Sequence, residues 1–248
     1  MIHLKNATQI AAMKDAGRIT GEALLVARDM VRPGVSTYEI DQAIRRYIEK
    51  CGATPAFLGY GGFPASACIS INDEVIHGIP SKKRILREGD IVSVDIGCIY
   101  KGYNSDAART YGVGKISEEA QRLIDAARES FFEGLKFCKV GYRLSDVSHA
   151  IQKRVEEDGF VVIRDFVGHG IGRELHEDPQ IPNYGKPGRG PRLAKGMVLA
   201  IEPMISEGTY EVEVLLDNWT AVTADGKLAA HYENTVVITD GEPELLTL

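Results

Sequence analysis

The sequence repeats itself at one fixed distance, and that repeat constrains the fold more than any other feature. GVSTYEIDQAIRRYIEKCG, beginning at Gly34, and GYRLSDVSHAIQKRVEEDG, beginning at Gly141, agree at Gly, Ala, Ile, Glu and Gly, 107 residues apart. LREGDIVSVDI from Leu86 and LAKGMVLAIEP from Leu193 share the 107-residue offset, which also superimposes Asp95 on Glu202. One such match between amphipathic segments arises by chance, whereas two at a single offset point to a duplicated unit. The expectation is one domain over residues 1–248, built of two pseudo-symmetric α+β halves (approximately 1–112 and 113–248). Asp95 and Glu202 then lie on equivalent strands and face a common centre.

Within each half the periodicity changes from helical to extended. Asn6 and Gln9 form a capping pair ahead of Ile10, Met13, Ala16, Ala23, Ala27 and Met30, which recur at helical spacing up to Pro33 and Gly34. Ser36 and Glu39 open a second amphipathic helix, carrying Ile40, Ala43, Ile44, Tyr47 and Ile48 and stopped by Gly52. Residues 118–138 and 145–158 fit helices, whereas IVSVDIGCIY and MVLAIEPMI are short, apolar and β-branched, as strands are.

Composition narrows the class of function. With 44% hydrophobic residues, the 248-residue chain can bury a sizeable core. A formal net charge of -6, with lysines and arginines scattered, gives no basic stripe to follow phosphates, so nucleic-acid specificity is not expected. No run approaches the roughly 18 apolar residues of a membrane span, and MIHLKNATQIAAMKDAGRIT lacks the apolar core of a secretory signal. Cys51, Cys68, Cys98 and Cys138 form no CxxC pair, which speaks against a zinc knuckle or a disulfide framework. The expectation is a cytoplasmic protein, free of the membrane, with reduced thiols.

Acidic residues stand where apolar strands should tolerate none. In VDIGCIYKGYNSDAARTYGVG, Asp95 lies in a strand, Lys101-Gly102 turns the chain, and Asp106 returns at or next to the register position facing Asp95. Glu202 in AIEPM and Glu233 in HYENTVVIT each sit at the end of an otherwise apolar run. Alone, each reads as an ion-paired strand-end carboxylate. Brought together without a cation, they would repel one another and hold protons to high pH. GHGIGRELHEDP, from Gly168, adds His169 and His176 among glycines that let the backbone approach closely. Four carboxylates and the His169 imidazole make a mostly oxygen donor set, better suited to two divalent cations sharing carboxylates than to one tetrahedral zinc.

Through DIGCIYKGYNSDAART, GHGIGRELHEDP, AIEPM and HYENT, over nearly its whole length, the chain resembles the type I (bacterial-type) methionine aminopeptidases of pita-bread fold. The resemblance implies metal-dependent removal of the N-terminal methionine from nascent proteins and peptides whose second residue is small. It implies two divalent metal ions (Co, Mn, Fe, Zn or Ni) on Asp95, Asp106, His169, Glu202 and Glu233. Asp106 and Glu233 would bridge the pair, Asp95 would hold one ion, and His169 with Glu202 the other. A water between two cations becomes a nucleophile near neutral pH, and Glu202 would take its proton and pass it to the departing amine. His176 would donate a hydrogen bond to the carbonyl oxygen, and His77, in EVIHGIP, would contact the scissile amide. Tyr60, Phe63 and Cys68 of LGYGGFPASACIS, with Trp219, His77 and His176, would form the methionine pocket, aromatic edges suiting a thioether. Without the resemblance, these aromatics read as core residues and His77 as a loop histidine bonded to backbone.

Three positions depart from the family pattern. Leu175 stands where an aromatic usually precedes the second histidine, and Phe57 where a small residue or Cys is common. His231 stands where Gln is common, two positions before Glu233, so that in a strand both side chains share a face; it is assigned a supporting role behind the ligands. NYGKPGRGPRL is expected as an irregular loop bordering the site, and GYGG at 59–62 lacks the Lys and Ser/Thr of a phosphate loop. The implied partners are nascent N-termini, and any ribosome association would come from the catalytic domain itself; the implied state is a monomer. Two rival readings stand beside this one: a prolidase or aminopeptidase P relative with the same ligand set, and a non-catalytic binder on the same scaffold.

Overall fold

Three of the four helices among the described residues begin where the side chain ahead of them accepts from a first free amide. In the computed structural model, which describes residues 1–247, α1 (Ala7–Met30) starts at the reciprocal Asn6/Gln9 capping box and stops ahead of Pro33. The Ser36/Glu39 box opens α2 (Thr37–Lys50). Ser117 caps α3 (Glu118–Leu135), which ends three residues short of the expected 138, and α4 (Leu144–Glu157) completes the helices. No helix among the described residues is long and apolar enough to cross a membrane.

The strands of the first half are β1 (Thr54–Pro55), β2 (Ala67–Ile71), β3 (Glu74–Ile76), β4 (Ile91–Tyr100) and β5 (Tyr103–Gly112). The second half carries β6 (Val161–Val162), β7 (Gly168–Gly170), β8 (Glu177–Ile181), β9 (Val198–Ile201) and β10 (Met204–Ser206). It continues with β11 (Val212–Val214), β12 (Ala221–Thr223), β13 (Ala229–His231), β14 (Asn234–Val237) and β15 (Glu244–Leu245). β4 is the hub of the first sheet, pairing with β1, β2 and β5, while β9 lies between β14 and β7 in the order β15-β14-β9-β7-β8. Two three-stranded sheets, β13-β10-β6 and β11-β12-β3, complete the set. Helices cover the outer faces: Ile19, Ile40, Ile44 and Ile48 from α1 and α2 pack on Ile69, Val94 and Ile96. Leu123, Phe131 and Ile151 from α3 and α4 pack on Leu199, Ile201 and Val236.

The 107-residue offset recurs in the backbone. It relates α2 to α4 and β1 to β6, residue for residue. It relates the isolated bridge Ser36–Ile85 to Arg143–Arg192. The Leu86 amide donates to Val35 at 2.8 Å and its counterpart Leu193 donates to Tyr142 at 2.9 Å. Gly34 and Gly141 turn into α2 and α4 with φ of 89° and 104°, a conformation few other residues adopt. One difference matters for chemistry. β4 runs unbroken for ten residues, whereas MVLAIEPMI, expected as one strand, divides into β9 and β10 at Glu202 and Pro203, because proline cannot donate to a ladder.

The halves meet along a seam of polar backbone. Ala108 and Glu233 exchange amide-to-carbonyl bonds of 3.0 and 3.4 Å. On one side the Thr235 hydroxyl accepts from the Asp106 amide (3.0 Å) and donates to its carbonyl (2.8 Å). On the other the Thr110 hydroxyl does the same for His231, at 2.9 Å in each direction. All of these groups are buried. Thr235→Val keeps the shape and strands the Asp106 amide and carbonyl, so we expect a loss of about 1–3 kcal/mol in urea unfolding; an unchanged midpoint would show that the seam does not depend on this hydroxyl.

Candidate metal centre

The tight β4–β5 hairpin delivers two carboxylates to the inner face. Its register pairs Asp95 with Ala108 and Gly97 with Asp106, so the two aspartates are diagonal neighbours on one face, two positions away from direct opposition. In the second half, Asn234 pairs with Ile201, and Glu233 and Glu202 lie one position beyond, where β14 begins and β9 has ended. His169, in β7, lies across from Ala200. Its Nε2 is 3.7 Å from Asp106 Oδ2 and 3.6 Å from Glu202 Oε1. Donor atoms of Asp106, His169 and Glu233 all fall within 4.8 Å of one another.

The imidazole is already in the form a metal needs. His169 Nδ1 donates to the Gly170 carbonyl at 2.9 Å, which leaves the Nε2 lone pair facing the carboxylates. Burial pushes its pKa down to about 4, with nearby His176 adding to the effect. The carboxylates move the other way. Burial raises Asp95 to about 7, and burial followed by mutual repulsion holds Asp106, Glu202 and Glu233 well above the ordinary range. Asp95 Oδ1, Asp106 Oδ1 and Glu233 Oε1 are shut away from solvent without a hydrogen-bond partner. Unsatisfied carboxyl oxygens that hold protons only for want of a cation, beside a neutral imidazole, make a donor set that divalent cations fit.

These residues floor a cavity whose walls are Phe57, Tyr60, Phe63, Cys68, Ile76, His77, Leu175, His176 and Trp219. Every residue expected for the pocket lines it. Phe57 and Leu175 face the same space, so the aromatic bulk missing at 175 is present at 57. Phe63 meets Trp219 edge-on at 5.1 Å, and His77 is held between Trp219 and Phe166, at 6.1 and 5.8 Å. Burial raises the Cys68 thiol, which stays uncharged and serves as a small apolar wall. Tyr60 Oη lies 2.7 Å from His176 Nδ1, and the His169 and His176 rings are 4.2 Å apart.

Several supports of this cavity carry no local signal in the sequence. Ile76 lines it beside His77, and Phe166, from a distant segment, backs the His77 ring. Behind the 171–176 segment, Lys5 Nζ donates to Glu177 Oε2 at 2.6 Å with both side chains buried, and the Asn104 amide holds the carbonyl of Arg173 at 2.8 Å. NYGKPGRGPRL is irregular and borders the site through its first residue, the buried Asn183, whose side-chain amide donates to the Glu202 carbonyl at 3.0 Å, although the stretch does not line the cavity itself. Its amides bond along α4, Gly185 to Gln152, Gly188 to Asp146 and Arg189 to Ser145, because that helix offers polar side chains for them.

The pKa shifts fix a direction for metal binding. Cations need ionised carboxylates and neutral imidazoles, so their binding to the folded protein must displace protons as pH falls from about 7 towards 4. We expect the rise in Tm on adding Mn²⁺ to chelator-treated protein to be small near pH 4.5 and to grow steadily to pH 7.5, with proton release in calorimetry. A pH-independent rise would contradict this site.

Residues 11–240 match the model of metallopeptidase family M24. A methionine aminopeptidase of Clostridium acetobutylicum is 58% identical, over 100% of this chain and 99% of that one. The crystal structure of methionine aminopeptidase from Thermotoga maritima superposes with a TM-score of 0.98 at 50% identity, covering 100% of this chain and 99% of that one. Prolidase from Pyrococcus furiosus superposes with a TM-score of 0.81 at 25% identity, covering 99% of this chain and 65% of that one. The architecture is therefore the pita-bread fold shared by methionine aminopeptidases and prolidases. On the family match and the full-length identity together, the chain belongs to metallopeptidase family M24.

Proposed function

We propose that the protein removes the N-terminal methionine from nascent proteins and peptides with a small second residue. The observation that carries this reading is one cavity in which a carboxylate-rich donor set faces an aromatic, thiol-lined wall. Asp95, Asp106, His169, Glu202 and Glu233 would hold two divalent cations. Such a pair brings water to nucleophilic strength near neutral pH and polarises a carbonyl. Glu202 accepts the proton from the attacking water and returns it to the departing amine. Assigning Tyr60 Oη, 2.7 Å away, as the donor to Nδ1 puts the His176 proton on Nε2, from which the ring would donate a hydrogen bond to the carbonyl oxygen as charge develops there. His77 stands at the same wall, edge-on to Trp219, where it can contact the scissile amide. Phe63, Tyr60, Trp219 and Cys68 receive the methionine side chain.

The finer readings rest on the same features. One catalytic domain of two duplicated halves, 1–112 and 113–248, is supported by the element pairs and turn contacts at the 107-residue offset. We read the protein as a cytoplasmic monomer acting on nascent chains, with any ribosome contact made by the catalytic domain.

Chelator-treated protein should release methionine from a Met-Ala peptide only when divalent metal is restored, and should leave Met-Lys and Leu-Ala peptides intact. Cleavage of Leu-Ala would overturn the methionine specificity, and no release with any metal would overturn the activity. His176→Ala should lower kcat on Met-Ala by about 10²–10³-fold, the usual cost of losing one donor to a developing oxyanion. A loss below threefold would remove His176 from that role.

A further inference from the structure

The pseudo-symmetry of the halves assigns a place to a residue outside the five-residue set. Gly97 and Met204 are related by the 107-residue offset, and their strand partners are Asp106 and His231 respectively. The two seam threonines repeat the correspondence, Thr235 bonding both backbone groups of Asp106 and Thr110 both of His231. His231 therefore occupies in the second half the position that Asp106 occupies in the first. Its backbone is fixed by the seam, and its side chain is aimed at the same centre.

That side chain is 1% exposed, and neither ring nitrogen has a hydrogen-bond partner. Nε2 lies 3.8 Å from Glu202 Oε2 and 3.9 Å from Glu233 Oε2. The other oxygen of Glu202, Oε1, is the one that faces His169. Two imidazoles thus address the two oxygens of a single carboxylate, and their surroundings give them opposite parts. His169 spends its proton on the Gly170 carbonyl through Nδ1 and offers a lone pair at Nε2. His231 finds no acceptor at Nδ1, while two acceptors face Nε2. The proton belongs on Nε2, which makes this ring a donor.

We propose that His231 is a positioning residue of the metal centre, its Nε2–H closing the present 3.8 Å gap to donate to Glu202 Oε2 when the cations are held, and so keeping Oε1 turned to the cation side beside His169. The inference rests on the five-residue centre of the preceding subsection. A carboxylate left to rotate would offer either oxygen, so removing this donor loosens the ligand itself. Outer contacts of this kind carry about 10–100-fold in metal affinity.

Calorimetric titration with Mn²⁺ of the chelator-treated parent, His231→Gln and His231→Leu tests it. Gln restores an N–H at similar reach and should bind within about threefold of the parent, whereas Leu should bind about 10–100-fold more weakly with an unchanged far-ultraviolet spectrum. A folded Leu variant that binds like the parent overturns the proposal. A parent that does not bind Mn²⁺ overturns the metal centre on which it rests. Should the Leu variant not fold, ¹⁵N imidazole spectra of the Zn²⁺-loaded parent decide the matter. A protonated Nε2 on His231 supports the proposal, and a bare or metal-bound Nε2 overturns it.

Discussion

Four carboxylates confined to one water-poor cavity set the terms for everything else in this molecule. Left to itself such a cluster would hold its protons and push its strands apart, because burial and like charge both disfavour ionisation. The protein answers with backbone and with one half-buried cation, Arg109, which donates to the Glu233 carbonyl and draws the Glu233 carboxyl downward against burial and the repulsion of its acidic neighbours. Reciprocal amide bonds between Ala108 and Glu233, flanked by the Thr110 and Thr235 hydroxyls, pin the strands that bear Asp106 and Glu233. The carboxylate oxygens are left free for cations, while the main chain behind them is fully committed.

Much of this was legible in the sequence, and the reasons differ by residue. The repeat at Gly34 and Gly141 was visible because a glycine turn and a capped amphipathic helix leave local marks that survive divergence. The Asp95–Asp106 hairpin was visible because Lys101-Gly102 marks its turn, although the two-position stagger depends on how tight that turn is. The ligand set and the pocket came from the family resemblance, which the 58% identity to a Clostridium acetobutylicum relative supports as a statement about family. The break between β9 and β10 could have been read from Pro203, which cannot sit in the middle of a paired strand.

What was not legible lies in contacts across long stretches of chain. No spacing rule joins Tyr60 to His176, Lys5 to Glu177 or Phe166 to His77. The correspondence of His231 with Asp106 was hidden for a different reason. The insertion of the β11–β12 hairpin between β10 and β13 breaks the 107-residue offset, so a comparison at fixed distance never aligns the two. The strand partnerships recover what the numbering lost. NYGKPGRGPRL shows the converse limit: composition identified it as irregular but carried no information about which helix its amides would find.

The seam can also be seen as an association between two bodies that happen to share one chain. Residues 113–117 alone separate β5 from α3, so the halves meet as tethered partners at high effective concentration. Free-standing partners would have to offset lost translational and rotational freedom, for which a buried apolar interface is the usual device. A tether removes most of that demand, and beside the carboxylates the contact between halves can be polar, made of main-chain amides, the Thr110 and Thr235 hydroxyls and the Arg109 guanidinium. Apolar packing between the halves is split into separate clusters, Phe57 and Phe63 with Ile171 and Leu175 in one, Val75 and Ile76 with Met204 and Ala229 in another. What the tether spares the protein is a continuous apolar interface, and the interruption is where four acids can stand.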